Sequence, residues 1–430
     1  MLSVRSELDA VGVAQVIVVP SARVGRKRDA SSLKGQLATK AFKSSERSIA
    51  SAILRTASSS SSEAQTAGFA TEFQEYKNLG VILGFVDHNG MNELVAAQHG
   101  GLVEEVVLAP QFSLIKPERN EPFVPGAAAA LQESWGLAAL DVPALWDKGL
   151  TGRGVLVGHL DTGVNANHPA LHGAVAHFAE FNRLGVQIPE AAPRDSDTHG
   201  THSAATIAGR PVHGYRIGVA PGASLASAMV IEGGNVIARV LAGLDWIIER
   251  GARVVSLSLG FRGFMTDFIP IVRILRESGI LPVMAIGNEG PGTSRSPGNY
   301  VESLSVGAMD KARRIATFSG SQLFERALKP EVPDVVAPGV DILSADGLST
   351  GYRVMDGTSM ATPHIAGLAA LLLEAHPAAT VEQLETAIFA SCVEIHHPRS
   401  ERTGRGLPSA TQALDALTQA MQAAQAAGGP

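Results

Sequence analysis

The stretch Gly357-Thr358-Ser359-Met360-Ala361-Thr362-Pro363-His364 places a small nucleophile immediately before a long apolar run. Pro377 interrupts that run, and its apolar residues recur at helical spacing, at Ile365, Leu368, Leu371 and Leu372. The pattern predicts a buried helix with Ser359 in its first turn. Free N–H groups and the helix dipole make a first turn favourable for negative charge, which an acyl-transfer nucleophile needs for its oxyanion. A serine that only caps a helix gives the same pattern.

Asp161 and His199 supply the groups that could activate such a serine. Asp161 follows the apolar run 155–160, which predicts a buried parallel strand, so its carboxylate lies at a carboxyl end where α/β sheets build sites. A buried carboxylate can orient an imidazole and stabilise its charged form. His199 opens an alanine-rich segment that we interpret as a helix, and an imidazole with a pKa of about 6.5 can take a proton and return it. His202, three residues later, is the alternative base.

Asn288 is the candidate donor to a developing oxyanion. It follows an apolar run, Ile280 to Ile286, that predicts another buried strand. Its side-chain amide could donate together with the backbone N–H of Ser359. Thr358 could add a hydroxyl donor. In the alternative interpretation both Asn288 and Thr358 are turn residues.

Together these stretches resemble the subtilisin family (subtilases) of serine proteases. The likeness rests on Val157-Gly158-His159-Leu160-Asp161-Thr162-Gly163-Val164, Asp197-Thr198-His199-Gly200-Thr201-His202, Ala285-Ile286-Gly287-Asn288-Glu289-Gly290 and the serine stretch. Their order, Asp then His then Ser, is the subtilisin order. The resemblance covers roughly Trp135 to Leu414 and gives the first histidine of His-Gly-Thr-His the role of base.

The resemblance implies a fold and an activity. The expected fold is α/β, a doubly wound parallel sheet with helices on both faces. The expected activity is hydrolysis of polypeptides by a serine endopeptidase through an acyl-enzyme, with Asp161, His199 and Ser359 as the triad and Asn288 at the oxyanion. An alternative is a catalytically silent protease fold that serves as a binding or scaffold protein.

The resemblance also implies the substrate-binding residues. Ser258, Leu259 and Gly260 end a predicted strand that, in the family, pairs with the extended substrate backbone and forms one wall of a pocket. Glu289 should lie at the rim of that pocket. There it would either mildly favour a basic substrate side chain or remain a solvated surface carboxylate.

Residues 1–125 differ in character from the peptidase region, 126–418, and from an Ala-, Gln- and Gly-rich tail, 419–430. We predict a small α+β, ferredoxin-like module, which resembles the inhibitory prodomain of secreted subtilases. Its predicted elements are strands 13–19, 81–86 and 103–109, helices 45–57 and 92–99, and a five-serine loop, 58–62. An extended segment from Phe112 to about Pro125 would block the cleft, and self-cleavage of the zymogen is expected between about Lys116 and Glu133. The alternative is a permanent accessory domain.

Composition narrows the possible partners. The 430 residues carry a net charge of −6, which offers no broad basic surface for nucleic acid. Cys392 is the single cysteine, so no internal disulfide can form. No apolar run has the length of a membrane span. The apolar run 11–19 is interpreted as a strand rather than a signal peptide, which leaves a cytoplasmic location or export without a standard signal open.

The predicted chemistry requires no metal or organic cofactor. Structural calcium is compatible with the resemblance, but the family's usual tight site looks absent. Ala170 stands where calcium-binding members carry an acid, and the loop 210–218 lacks Asn and Asp ligands. Other calcium sites stay open.

Overall fold

The computed structural model describes residues 2–21, 73–123 and 132–427, apart from residues 213, 234, 235, 396 and 398. The predicted helix 45–57 and the five-serine loop 58–62 lie outside the described residues. Among the described residues, no helix combines the length and hydropathy needed to cross a membrane.

The N-terminal module is a four-stranded antiparallel sheet with two described helices. The strand order is β2-β3-β1-β4. The elements in chain order are α1 (Leu2–Val11), β1 (Ala14–Pro20), β2 (Gln74–Tyr76), β3 (Val81–Val86), α2 (His88–His99) and β4 (Val103–Leu108). The α+β prediction is confirmed, and residues 14–19 of the apolar run 11–19 lie in the inner strand β1, while Val11 ends α1. Helix α1 was not predicted, because only Val4 and Leu8 anchor it to the module's core.

The segment after the module forms two short strands that pair with strands of the peptidase region. These are β5 (Ser113–Leu114) and β6 (Arg119–Phe123), and we call residues 112–123 the tail. The peptidase region begins, within the described residues, at β7 (Gln132–Glu133) and the short helices α3 (Trp135–Ala139) and α4 (Pro143–Asp147).

A seven-stranded parallel sheet forms the centre of the peptidase region. Its order is β19-β16-β14-β12-β8-β11-β9. In chain order the region continues with β8 (Leu156–Asp161), β9 (Val175–Glu180), α5 (His199–Ala208), β10 (Tyr215–Arg216), β11 (Ser224–Met229), α6 (Ile237–Glu249), β12 (Val254–Leu257), β13 (Leu259–Arg262), α7 (Ile269–Glu277), β14 (Leu281–Ala285), β15 (Arg295–Ser296), β16 (Leu304–Met309), β17 (Gln322–Leu323), β18 (Glu331–Val332), β19 (Val335–Pro338), β20 (Ile342–Ala345), β21 (Tyr352–Asp356), α8 (Thr358–Ala375), α9 (Val381–Ala390), β22 (Cys392–Val393), β23 (Leu407–Pro408) and α10 (Ala410–Ala427).

Helices cover both faces of this sheet. Helices α5 and α8 pack in one apolar core, and α6 and α7 pack in the other. Along β14, Val283 faces the first core and Met284 the second, as expected for strands that are buried on both sides. The predicted doubly wound α/β fold is confirmed. Because parallel strands end at one edge, the sheet brings the residues that follow β8, β12 and β14 together.

Candidate active site

Asp161 and His199 form a buried hydrogen-bonded pair. Asp161 ends β8 and His199 opens α5, and their side chains meet with Nδ1 of His199 at 2.7 Å from Oδ1 of Asp161. The exposed fractions are 1% and 0%. An ionised carboxylate can only accept hydrogen bonds, so Nδ1 carries the proton and Nε2 is left free to accept one.

The pair shifts the pKa of each partner in opposite directions. Burial alone would lower the pKa of His199, but the charge and hydrogen bond of Asp161 outweigh burial and raise it above 6.5. Burial would raise the pKa of Asp161, but the His199 charge and hydrogen bond hold it below its ordinary value. The ionised carboxylate therefore favours the imidazolium that proton abstraction would create.

Ser359 lies in the first turn of α8 and is fully buried. Its hydroxyl lies 3.4 Å from Sδ of Met360. Nε2 of His199 is buried and has no hydrogen-bond partner among the described residues. Gly357 explains how the serine and the oxyanion donor come close: a Cβ there would lie 2.9 Å from the Ser359 hydroxyl and 3.3 Å from Nδ2 of Asn288. Any side chain at position 357 would separate them.

Asn288 lies beyond the end of β14 with its amide held in a fixed orientation. Its Oδ1 accepts hydrogen bonds from the backbone N–H of Thr358 at 2.9 Å and from the Thr358 hydroxyl at 2.8 Å. Its Nδ2 donates to the carbonyl oxygen of Lys116 at 2.9 Å. The expected hydroxyl donor therefore points elsewhere: the single hydroxyl proton of Thr358 is used on Asn288, so Thr358 orients the donor instead of touching the carbonyl.

The tail pairs with two strands of the peptidase region, β13 and β21. On one side β5 pairs antiparallel with β13, so that Leu114 opposes Leu259 and Ser113 opposes Gly260. The N–H of Ile115 donates to the carbonyl of Ser258 at 3.1 Å. The strand end at residues 258–260 thus binds an extended peptide backbone, in the manner that the sequence predicted for a substrate.

Beyond Lys116 the tail continues along a different strand. Here β6 pairs antiparallel with β21, the strand that leads directly into α8. Asn120 adds side-chain hydrogen bonds to Thr198 at 3.1 Å and to Arg353 at 2.7 Å. Within the tail, the carbonyl of Lys116 therefore lies at Asn288, and the next residue is Pro117.

No sequence pattern pointed to Arg295, which accounts for the position of Glu289. Oε1 of Glu289 accepts hydrogen bonds from Nε of Arg295 at 2.8 Å and from its Nη2. Arg262 approaches the same oxygen at 3.4 Å. Burial would raise the pKa of Glu289, but the bonds and charge of Arg295 lower it. The predicted preference of Glu289 for a basic substrate stays a prediction, and this pairing weakens it.

A second buried histidine, His159, is linked to Asp161 through the hydroxyl of Ser203. The Ser203 hydroxyl donates to Oδ2 of Asp161 at 3.1 Å. Because that hydroxyl has one proton, Oγ of Ser203 accepts from Nε2 of His159 at 2.9 Å. Nδ1 of His159 then accepts from the Ser227 hydroxyl at 3.0 Å. Burial lowers the pKa of His159 to about 4, so it is neutral. The sequence showed a histidine within a strand that ends at Asp161, but Ser203 and Ser227 carried no signal.

His202, the alternative base, is directed away from Asp161. Its Nε2 lies 2.9 Å from the carbonyl oxygen of Ile342, and burial lowers its pKa to about 3. Such an imidazole is a poor proton acceptor at neutral pH. The geometry therefore favours His199.

The loop 210–218, which is expected to lack a calcium site, begins with Arg210, whose guanidinium lies next to three backbone carbonyls. The Arg210 guanidinium donates to the carbonyl oxygens of Ala208, Ala223 and Gly173 at 2.9 to 3.1 Å. Nearby Ala170 is fully buried and offers no carboxylate. Carbonyl oxygens that could coordinate a cation are thus already engaged by a side-chain cation.

Comparison with known proteins gives the same assignment as the geometry. The model of the subtilase family matches residues 152–415. The subtilisin-like protease PopC of Myxococcus xanthus (strain DK1622) is 36% identical over 303 residues, which cover 62% of this chain and 61% of PopC. Subtilisin E of Bacillus subtilis (strain 168) is 33% identical over 321 residues, covering 72% and 75%. Subtilisin Savinase of Lederbergia lenta is 37% identical over 248 residues, covering 56% and 85%.

The match thus spans less than two thirds of PopC and a larger share of the two subtilisins. The family match, over residues 152–415, includes the strand that ends at Asp161, the helix that begins at His199 and the helix that carries Ser359. The chain belongs to the subtilase family of serine proteases.

Proposed function

We propose that this protein is a serine endopeptidase whose N-terminal module is an intramolecular inhibitor. The single observation that carries the proposal is a peptide carbonyl, that of Lys116, held by Asn288 at the first turn of the helix that bears Ser359. The Asp161–His199 pair lies at the same edge of the sheet.

The residues can perform acyl transfer in two balanced steps. Oγ of Ser359 bonds to the carbonyl carbon while its proton moves to Nε2 of His199, and Asp161 stabilises the resulting imidazolium. Asn288 and the Ser359 amide hold the oxyanion. The C–N bond then breaks as His199 protonates the leaving amine, and water releases the acyl group by the same route. The Ser359 hydroxyl must first rotate from Met360 towards His199. Catalytic hydrogen bonds often tighten only in the reacting complex.

The inhibitory role rests on how the module and its tail are anchored. Asp245 of α6 accepts hydrogen bonds from the backbone N–H groups of Asn78 at 2.6 Å and Leu79 at 2.8 Å. The Tyr76 hydroxyl donates to the carbonyl of Ala238 at 3.0 Å. The module's sheet and α6 share an apolar core. A module held in this way keeps the tail in the cleft and excludes other polypeptides.

Release requires a break in the chain after the blocked cleft. We propose self-cleavage between Lys116 and Glu133, followed by departure of the module. This places the start of the mature enzyme before the family match at residue 152.

We also propose that the reaction proceeds with these side chains alone and that the family's tight calcium site is absent here. Arg210 supports this, because its guanidinium already donates to the carbonyls of Ala208, Ala223 and Gly173, outside the loop 210–218. In that case, removing free calcium with a chelator should leave the melting temperature unchanged. A clear fall would contradict this part of the proposal.

A fluorophosphonate probe tests the chemistry directly. After the purified full chain has been incubated at neutral pH, the probe should label Ser359, and casein should be hydrolysed. Ser359→Ala should show neither reaction. A folded wild-type chain that neither reacts with the probe nor cleaves casein would instead support a silent scaffold.

A further inference from the structure

The cleft wall beside the tail carries a charged cluster that the catalytic chemistry does not use. We call Arg262, Glu289 and Arg295 the arginine cluster. It borders a cavity of about 360 Å³ that the tail lines from the other side, at residues 113–116 and Glu118. A peptide in the cleft is therefore bound next to these charges.

Arg295 is held rigidly and directs one nitrogen at the bound peptide. The residue is 7% exposed, and its Nε and Nη2 both donate to Glu289. Its methylene chain packs against Gly287, where a Cβ would lie 3.0 Å from Cγ of Arg295. The remaining group, Nη1, donates to the hydroxyl of Ser113 at 2.9 Å. Arginine recognises oxygen acceptors well when its guanidinium is held in place in this way.

The charge of the cluster favours an acidic partner. Two guanidinium groups face one carboxylate, so the cluster has a net charge of about +1. Ser113 is exposed and pairs with Gly260, so a longer side chain has room at this position. A carboxylate there would replace the neutral hydroxyl acceptor of Arg295 with a charged one and so form an ion pair, and a lysine would be repelled.

We propose that Arg295 is a specificity-determining residue that selects substrates with a carboxylate at the position of Ser113, the residue that pairs with Gly260. A hydroxyl is accepted less well, and a basic side chain is disfavoured. Glu289 then serves to hold Arg295 and not to attract a basic substrate. This inference rests on the proposed function, in which the tail binds as a substrate does.

The full chain provides the test, because its own tail places residue 113 beside Arg295 and the latent period depends on how tightly the tail binds. We compare the latent period before a chromogenic peptide is hydrolysed in Ser113→Glu, Ser113→Ala and Ser113→Lys chains. Ser113→Glu should lengthen the latent period about ten-fold relative to Ser113→Ala, and Ser113→Lys should shorten it. In an Arg295→Gln background these differences should fall below about two-fold.

Two controls separate specificity from folding. Gln111→Glu and Gln111→Lys make the same charge changes two residues earlier, at an exposed position just before the tail, and should leave latency unchanged. Arg295→Met combined with Glu289→Gln removes both buried charges together, which avoids an unpaired carboxylate, and should abolish the dependence on residue 113 as Arg295→Gln does.

The outcomes distinguish the two proposals. If every chain is active at once, the tail does not block the cleft, and both proposals fail. If a latent period is present but is the same for every residue at position 113, only the specificity proposal fails. The same holds if the latent period depends on residue 113 as strongly in the Arg295→Gln background as in the wild-type background. On a peptide mixture, the processed enzyme should also show Asp and Glu enriched at the fourth residue before the cleaved bond, the position of Ser113 relative to Lys116, and Arg295→Gln should not.

Discussion

The side-chain amide of Asn288 donates a hydrogen bond of 2.9 Å to the carbonyl oxygen of Lys116. A carbonyl at this place marks where negative charge would develop during attack by Ser359, so the amide should matter more to the transition state than to the bound substrate. We expect Asn288→Ala to lower kcat by about 10² to 10³, the range found for this donor in subtilisin, with little change in KM. Steady-state kinetics on a chromogenic peptide check this, and an unchanged kcat would exclude the oxyanion role.

Thr358 should act through Asn288. Its hydroxyl fixes the amide orientation by donating to Oδ1 at 2.8 Å. Thr358→Val keeps the shape but removes the donor, so we expect kcat to fall about ten-fold at constant KM. Thr358→Ser keeps a hydroxyl and should restore most of the rate. Equal losses in both variants would show that packing, and not the hydroxyl, is what matters.

Buried neutral histidines should make the fold sensitive to acid. Burial lowers the pKa to about 4 for His159 and for His364. Between pH 6.5 and about 4 the unfolded chain therefore binds protons that the folded chain does not, and each of these histidines removes about 1.4 kcal/mol of stability per pH unit as the pH falls. His199 acts oppositely, since its pKa is raised: its stabilisation is complete below pH 6.5 and is lost as the pH rises through the raised value.

Urea unfolding at several pH values measures this effect, in a Ser359→Ala background to prevent self-digestion. His364→Gln can keep a donor to the Met360 carbonyl, which His364 contacts at 2.8 Å, and it removes one titrating group. It should therefore reduce the dependence of stability on pH between 6.5 and 4. An identical pH dependence in both chains would contradict the assignment of His364 as neutral.

Asp245 should control how long the module stays bound. It accepts two backbone N–H groups of the module, at Asn78 and Leu79, and burial raises its pKa despite these bonds. Asp245→Ala leaves both N–H groups unpaired and should shorten the latent period several-fold. Asp415, on α10, makes no hydrogen bond or ion pair with the described residues of the module, so Asp415→Ala is the matched control. Unchanged latency in Asp245→Ala would show that these bonds do not hold the module in place.

The sequence predicted the positions of the candidate catalytic residues in the fold, because each lies at a helix start or a strand end. Asp161 and Asn288 follow apolar strands, and the apolar repeat after Ser359 marks its helix. The direction of the Thr358 hydroxyl could not be predicted in this way, because it depends on a side chain seventy residues away. The roles of Ser203 and Ser227 could not be predicted from the sequence either, because these serines meet His159 only when two strands, β8 and β11, and helix α5 come together.

The ion pair between Glu289 and Arg295 in the cleft wall was among the hardest features to predict. Glu289 was predicted at the pocket rim, but Arg295 begins the short strand β15 within a turn-rich segment, where an arginine is usually solvated. Its burial follows from packing against Gly287 and pairing with Glu289. Helix α1 was missed for a similar reason: its two apolar anchors become meaningful only against the module's sheet.

Intact mass followed over time at neutral pH tests the central claim most directly, with the wild-type chain compared to Ser359→Ala. We predict that the wild-type chain breaks at one bond between Lys116 and Glu133, that casein hydrolysis rises as the break proceeds, and that Ser359→Ala stays whole. If Ser359→Ala were cut at the same bond and the same rate, Ser359 would not be the nucleophile and the proposed mechanism would be wrong.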